Sequence, residues 1–154
     1  STAEGNPNFH PYACDVTDED RLTEIVDEVE SKLGPIDRMM HAAAIMPSSK
    51  LIDHDLKGVK ALMRINYEGT VNMAYTVIPR MNARGRGEAI FFGSVAGHVV
   101  SPHFGAYSAS KAAVNTFVEC LIRENEHEGV NIMLVCPPQV NTPLLEQTKS
   151  NPKE

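Results

Sequence analysis

Tyr107 and Lys111 stand four residues apart in the segment GAYSASKAAVN (residues 105–115), which carries no other charge. On a helix this spacing puts both side chains on one face, one turn apart. An ammonium group beside a phenol favours the phenolate, so the tyrosine becomes a candidate general acid or base near neutral pH. The pair in isolation is weak evidence, because any helix can place a tyrosine and a lysine in this way as an incidental surface pair.

Ser94 is a candidate third member of this set. It follows an apolar run, EAIFFG (88–93), and precedes Tyr107 by thirteen residues. The turn-rich stretch between them allows the chain to return to the start of the predicted helix. The serine hydroxyl can then bind a carbonyl oxygen beside the phenol, an arrangement that favours hydride chemistry at a carbonyl. Alone, Ser94 would be read as a hydroxyl at a strand end.

The elements that must position these residues alternate along the chain. Apolar periodicity predicts helices over residues 17–33, with Thr17 as N-cap, and over about 55–82 and 106–127. Largely apolar runs at 36–41, 88–93 and 131–136 are typical of strands buried on both faces. We therefore predict parallel βαβ units in one α/β domain. Ligands bind at the carboxyl ends of such strands, here the exits HAAA (41–44), GSVAG (93–97) and CPPQVNTP (136–143).

Composition excludes several classes of function. The 154 residues have a net charge of −6 and no basic run, so we expect no binding to nucleic acid or to anionic membranes. No apolar run reaches the 18 or so residues of a membrane span, and the first residues have no basic end followed by an apolar segment. The three cysteines are widely spaced, which predicts buried free thiols rather than disulfides or a metal site. We expect a cytoplasmic protein without metal.

Several further segments, taken in chain order, resemble motifs of the classical short-chain dehydrogenase/reductase family. The resemblance runs from about Ala13 onward and implies a Rossmann-like, doubly wound parallel sheet. The matching segments are CDVTD (14–18), GPID (34–37), HAAA (41–44), INYEG (65–69), Ser94, YSASK (107–111) and PPQVNT (137–142).

The resemblance implies an NAD(P)-dependent oxidoreductase that interconverts an alcohol and a ketone or aldehyde. Tyr107 would donate a proton to the carbonyl oxygen, or remove it, as hydride moves from or to the nicotinamide. Lys111 would lower the pKa of Tyr107 and bind ribose hydroxyls. Ser94 would orient the carbonyl, and Asn66 would hold a water that links Lys111 to solvent.

The resemblance also implies a set of cofactor contacts to NAD or NADP. Asp15 would accept a hydrogen bond from the adenine amino group, although it can also be read simply as a residue leading into the first helix. Tyr107 and Lys111 would contact the nicotinamide riboside. The remaining contacts would come from Val16 beside the adenine, Ala42, Ala43 and Ala44 along the adenosine ribose, and Pro137, Val140 and Thr142 around the carboxamide.

The sequence departs from the family pattern in ways that bear on these roles. Ala42 and Ala44 replace an asparagine and a glycine, and Pro138 replaces the glycine of a Pro-Gly loop. Nothing before Asp15 resembles the family's glycine-rich turn, which holds the cofactor pyrophosphate. Only residues 8–15 could form a strand there. We therefore predict an incomplete domain over residues 1–154, lacking the first strands and the last one.

Two functions remain open at this point. The first is the oxidoreductase, acting on a small alcohol or carbonyl substrate that the apolar loop VAGHVVSPHFG (95–105) marks as hydrophobic, and forming a homodimer or homotetramer when full length. The second is a catalytically inactive fragment that serves as a protein-interaction or oligomerisation module through its helices. His98 and His103 lie in the apolar loop, where solvated histidines are the commoner interpretation.

Overall fold

The computed structural model describes residues 5–140 and 143–149. Within these residues, four α-helices and three strands follow in the order α1 (Glu19–Leu33), β1 (Arg38–His41), α2 (Leu56–Leu62), α3 (Gly69–Arg84), β2 (Gly87–Phe92), α4 (Gly105–Glu124) and β3 (Val130–Val135). A π-helical segment (Met63–Glu68) joins α2 to α3, and 3₁₀ turns cover Val95–Gly97 and Pro143–Lys149. The predicted order of helices and strands is confirmed, with boundaries shifted by one to three residues.

The three strands form one parallel sheet in the order β1-β2-β3. Met39 pairs with Ala89, and Ala89 pairs with Ile132 across the register. Each strand is followed by a helix or loop at its carboxyl end, so HAAA, GSVAG and the loop after β3 meet at one edge. The fold is an incomplete Rossmann-like α/β fold, as predicted.

The hydrophobic core lies on one face of this sheet. Buried strand residues such as Met39, Ala89 and Phe91 pack there against apolar side chains of α3 and α4. The opposite face is open in the described part of the chain, since Met40 and Met133 are 61% and 39% exposed. The sequence predicted strands buried on both faces. Among the described residues only one face of the sheet is buried.

The N-cap of helix α1 lies one residue later than predicted. Asp18, not Thr17, is the N-cap, because its carboxylate accepts a hydrogen bond of 3.0 Å from the Arg21 amide. Thr17 instead donates to Asp15 through both its amide and its hydroxyl, each at 2.9 Å. Aspartate and threonine both serve as N-caps, so the sequence alone favours neither strongly.

Residues 8–15, the only stretch before α1 that the sequence allowed as a strand, do not form one. These residues have no partner strand in the described chain, and a strand requires a neighbour to take its ladder hydrogen bonds. The prediction of buried thiols is wrong for two of the three cysteines. Cys14 and Cys120 are exposed, and Cys136 is half-buried; all three are free. Within residues 5–140 and 143–149, no helix combines the length and apolar character that a bilayer span requires.

Candidate active site

A cleft of about 940 Å³ opens at the carboxyl ends of the three strands. Its floor is built by the strand exits and its wall by the first turns of α4. Eight of the residues predicted to be functional line it: Ala42, Ala43, Ala44, Ser94, Tyr107, Lys111, Pro137 and Val140. The sheet thus brings together residues up to 98 positions apart in sequence, as the parallel topology predicts.

Tyr107 lies in the first turns of α4 and is 6% exposed. Burial raises the pKa of its phenol, and a hydrogen bond from Ser94 opposes that rise. Spacing alone predicted a lowered pKa through Lys111. The structure differs because removing the phenol from water disfavours the phenolate more than its neighbours favour it. The phenol therefore keeps its proton at neutral pH, which suits a group that donates one.

Lys111 lies one helical turn further along and is 4% exposed. Its amine donates a hydrogen bond of 2.7 Å to the Phe92 carbonyl oxygen at the end of β2. It also lies 6.0 Å from the centroid of the Tyr107 ring. Burial lowers the pKa of Lys111 to about 8, because the charged form loses hydration. The amine remains mostly charged at pH 7 and is fixed between strand and phenol.

Ser94 follows β2 and caps the 3₁₀ turn Val95–Gly97. Its hydroxyl oxygen accepts a hydrogen bond of 3.1 Å from the Ala96 amide. Its own proton is therefore available to Tyr107, in agreement with the direction in which it shifts the phenol pKa. Ser94 and Tyr107 both line the cleft.

Asn66 is fully buried in the π-helical segment and does not line the cleft. Its side-chain oxygen accepts a hydrogen bond of 2.8 Å from the Ile45 amide, and its side-chain nitrogen donates to the Ile45 carbonyl oxygen at 3.0 Å. The same nitrogen also donates to the Ser110 hydroxyl at 3.0 Å. Ser110 in turn donates to the Tyr107 carbonyl oxygen at 2.7 Å. Asn66 therefore fastens the loop after β1 to the turn of α4 that carries Tyr107. Its predicted role in holding a water stays a prediction.

Asp15 and Val16 lie away from the cleft. The carboxylate of Asp15 accepts hydrogen bonds from the amide and the hydroxyl of Thr17, and these bonds lower the pKa of Asp15. Asp15 lines a separate polar depression at the start of α1, together with Arg64. The Val16 carbonyl oxygen accepts a hydrogen bond of 3.1 Å from the Asn72 side chain on α3. Their predicted adenine contacts stay predictions, and Thr142 lies outside the described residues.

Two buried polar residues near the cleft were not singled out as functional from the sequence. His41, at the end of β1, is 6% exposed, and burial together with the charge of Lys111 lowers its pKa to about 4. Asn115 is 2% exposed and hydrogen-bonds to the backbone of Ser94. The sequence did hold a signal for Asn115, because it follows Lys111 by four residues and therefore shares its face of α4.

Comparison with known proteins agrees with this geometry. A family model described as short chain dehydrogenase matches residues 1–153. The chain is 33% identical over 138 residues to 3-ketodihydrosphingosine reductase of Mus musculus, covering 89% of this chain and 42% of that protein. It is 29% identical over 153 residues to the 3-oxoacyl-(acyl-carrier-protein) reductase of Thermotoga maritima, covering 99% of this chain and 62% of that protein.

A solved structure shares the architecture. The gluconate 5-dehydrogenase of Burkholderia cenocepacia, in complex with NADP and tartrate, superposes with a TM-score of 0.83 at 27% identity. The match covers 90% of this chain and 55% of that one. The chain belongs to the short-chain dehydrogenase family, and it spans about half the length of the relatives that it matches.

Proposed function

We propose that the protein is an NAD(P)-dependent oxidoreductase that interconverts an alcohol and a carbonyl compound, with Tyr107 as general acid and base. The observation that carries this proposal is the meeting of Tyr107, Ser94 and Lys111 in one cleft at the strand exits. A buried phenol that keeps its proton beside a serine hydroxyl is suited to bind and protonate a carbonyl oxygen.

The cleft has room and walls for the nicotinamide half of such a cofactor. The small side chains of Ala42 and Ala43 at the exit of β1 leave space for a ligand close to the backbone. Lys111 supplies a buried ammonium within the same cleft, suited to ribose hydroxyls. When bound, the cofactor supplies or accepts the hydride, and the protein supplies orientation and proton transfer. Family membership and the NADP-bound neighbour support this choice of cofactor, with either NAD or NADP acceptable.

The residues then act in a definite order during reduction. The Ser94 hydroxyl and the Tyr107 phenol orient the carbonyl oxygen. The phenol donates its proton to that oxygen as hydride reaches the carbonyl carbon, leaving a phenolate. Lys111 stabilises that phenolate through its positive charge, and Asn66 keeps the Tyr107 turn in register through Ser110. Oxidation of an alcohol runs through the same steps in reverse.

The substrate is an apolar carbonyl compound or alcohol. Met46, Val99 and Phe104 line the cleft together with Leu144 and Leu145, so its outer wall is mostly hydrocarbon. Two relatives are named 3-ketodihydrosphingosine reductase and 3-oxoacyl-(acyl-carrier-protein) reductase, and both names specify a keto compound, which supports a carbonyl substrate. A substrate with an aliphatic chain would bury that chain against this wall.

A homo-oligomer and a cytoplasmic location complete the proposal. Tyr75 on α3 is 71% exposed, and aromatic side chains of this kind are enriched in subunit contacts. Light scattering coupled to size exclusion tests the assembly: a dimer or tetramer supports it, and a monomer at micromolar concentration contradicts it.

The test of the proposed activity compares two tyrosine variants in a panel of aliphatic ketones with NADH and NADPH. Tyr107→Phe should lose turnover by about 10³-fold or more while cofactor affinity, followed by fluorescence, changes little. Tyr75→Phe removes the same hydroxyl from an exposed site and should keep wild-type turnover. Turnover retained by Tyr107→Phe would refute the assignment. A wild-type chain that binds no cofactor would favour the interaction module instead.

A further inference from the structure

Ser94 stands where β2 leaves the sheet, so its backbone lacks a strand neighbour. The hydrogen bond of 2.9 Å from the Gly93 amide to the Val135 carbonyl oxygen joins β2 to the end of β3. The next hydrogen bond toward this neighbour runs from the Val95 amide to the Pro137 carbonyl oxygen, at 3.3 Å. The amide and carbonyl of Ser94 lie between these contacts in a buried residue. Buried backbone groups of this kind need partners.

Asn115 supplies both partners. Its side-chain oxygen accepts from the Ser94 amide at 3.3 Å, and its side-chain nitrogen donates to the Ser94 carbonyl at 3.0 Å. One side-chain amide therefore replaces the neighbouring strand at this single residue. Asn115 shares a face of α4 with Tyr107 and Lys111, so one helix carries both the phenol and the group that holds the serine.

The remaining hydrogen-bonding capacity of this amide is also used. Its nitrogen lies 3.0 Å from His98 Nε2, and its oxygen lies 3.6 Å from the Cys136 thiol. The backbone of Ser94 fixes which end of the amide is nitrogen, because the reversed amide would set donor against donor. His98 Nε2 therefore accepts, and the Cys136 thiol donates.

The Asn115 side chain packs closely against Gly93 and Gly97, which leaves no room for a side chain at either glycine. A Cβ atom at Gly93 would overlap the Asn115 oxygen, and one at Gly97 would lie 2.5 Å from its nitrogen. Alanine at position 115 would remove both side-chain hydrogen bonds to the Ser94 backbone, whereas aspartate would turn an oxygen toward the Ser94 carbonyl. Asparagine has the length and the donor-acceptor pair that this site requires.

We propose that Asn115 is the positioning residue for Ser94, clamping the serine backbone so that its hydroxyl stays against Tyr107. The catalytic consequence rests on the proposed function, but the clamp itself does not. Asn115 touches neither substrate nor cofactor in this account. It acts only through the position of Ser94, and its loss should therefore impair the chemical step more than cofactor binding.

Amide hydrogen exchange measured by NMR tests the clamp without any assay of activity. In Asn115→Ala the Ser94 amide should exchange about tenfold faster or more, since one buried hydrogen bond is lost, while the Phe91 amide in β2 should be unchanged. The control Asn125→Ala, at the C-cap of α4, removes an amide contact of 2.7 Å with Asn82 and should leave Ser94 protected. Equal acceleration at Ser94 and Phe91, or none at Ser94, would overturn the proposal.

The wild-type chain gives a check that does not depend on a variant folding. Its Ser94 amide should exchange as slowly as that of Gly93, and exchange as fast as at exposed Val100 would overturn the clamp. With a ketone that the wild type reduces, Asn115→Ala should lower kcat about tenfold or more and leave cofactor Kd within about twofold. A change in cofactor Kd alone would contradict the positioning role. Absence of any wild-type turnover would defeat the proposed function, and the exchange result would still decide the clamp.

Discussion

Met39 and Met40 are neighbours in β1, yet Met39 is 5% exposed and Met40 is 61% exposed. Side chains alternate along a strand, so the two methionines sample opposite faces of the same sheet. One face is packed against α3 and α4 and carries Met39, Ala89 and Phe91. The other is open in the described residues.

The difference between the faces explains where the site can form. Tyr107, Lys111 and Asn115 all project from α4, which packs on the covered face, and Asn66 comes from the segment beside α3. Their positions are set by contacts of that one face and by the end of β2. The covered face is therefore sufficient to order the proposed acid, lysine and serine against each other.

Met39→Ala should have the largest effect on stability. Removing this buried side chain leaves a cavity in the core beneath α3, and such substitutions cost about 2–5 kcal/mol in the free energy of unfolding. Urea denaturation followed by circular dichroism measures it. A loss below about 0.5 kcal/mol would mean that the covered face is not packed as described.

His41→Asn should change how stability depends on pH. The pKa of His41 is lowered to about 4 in the folded protein, against 6.5 for the ordinary side chain, so the folded state resists protonation. Stability is fully present above pH 6.5 and falls as pH drops from 6.5 toward 4, by on the order of 2–3 kcal/mol from this group.

The asparagine variant should lack this part of the acid sensitivity. Carboxylates titrate in both proteins, so the difference between the two stability profiles isolates His41. Denaturation midpoints measured at half-unit steps from pH 4 to 7.5 provide the comparison. Parallel profiles for wild type and His41→Asn would show that the imidazole is not buried on the covered face.

Met40→Ala should have the smallest effect, within about 0.5 kcal/mol, since this side chain is largely in water and leaves no cavity. It is the matched partner of Met39→Ala, with the same chemical change one residue away. A cost near that of Met39→Ala would mean that something covers the open face in solution, and it would remove the contrast between the faces.

The sequence predicted the elements and the cleft because these depend on local pattern and on topology. Apolar runs predicted the strands, and the Tyr107–Lys111 spacing predicted that both side chains share one face of a helix. The parallel topology predicted that Ser94 lies at the same edge of the sheet as this pair. The unformed strand over residues 8–15 could not be judged in this way, because a strand exists only with a neighbour.

Other features depend on burial, which spacing does not reveal. The direction of the Tyr107 pKa shift follows from removal of the phenol from water. The contact between Asn115 and Ser94 depends on how closely α4 approaches two glycines. The carboxylate of Asp15 accepts two hydrogen bonds from Thr17 within a local turn. Such local bonds compete with the adenine contact that the family resemblance implies for Asp15.

Transfer of a labelled hydride tests the central claim most directly. The wild type and Tyr107→Phe are incubated with an aliphatic ketone and NADPH or NADH carrying deuterium at both C4 positions, and the alcohol product is examined by mass spectrometry. We predict one deuterium on the carbinol carbon with the wild type and no product with Tyr107→Phe. A wild-type protein that binds the cofactor but transfers no deuterium to any ketone, or a Tyr107→Phe variant that forms the labelled alcohol at the wild-type rate, would contradict the account.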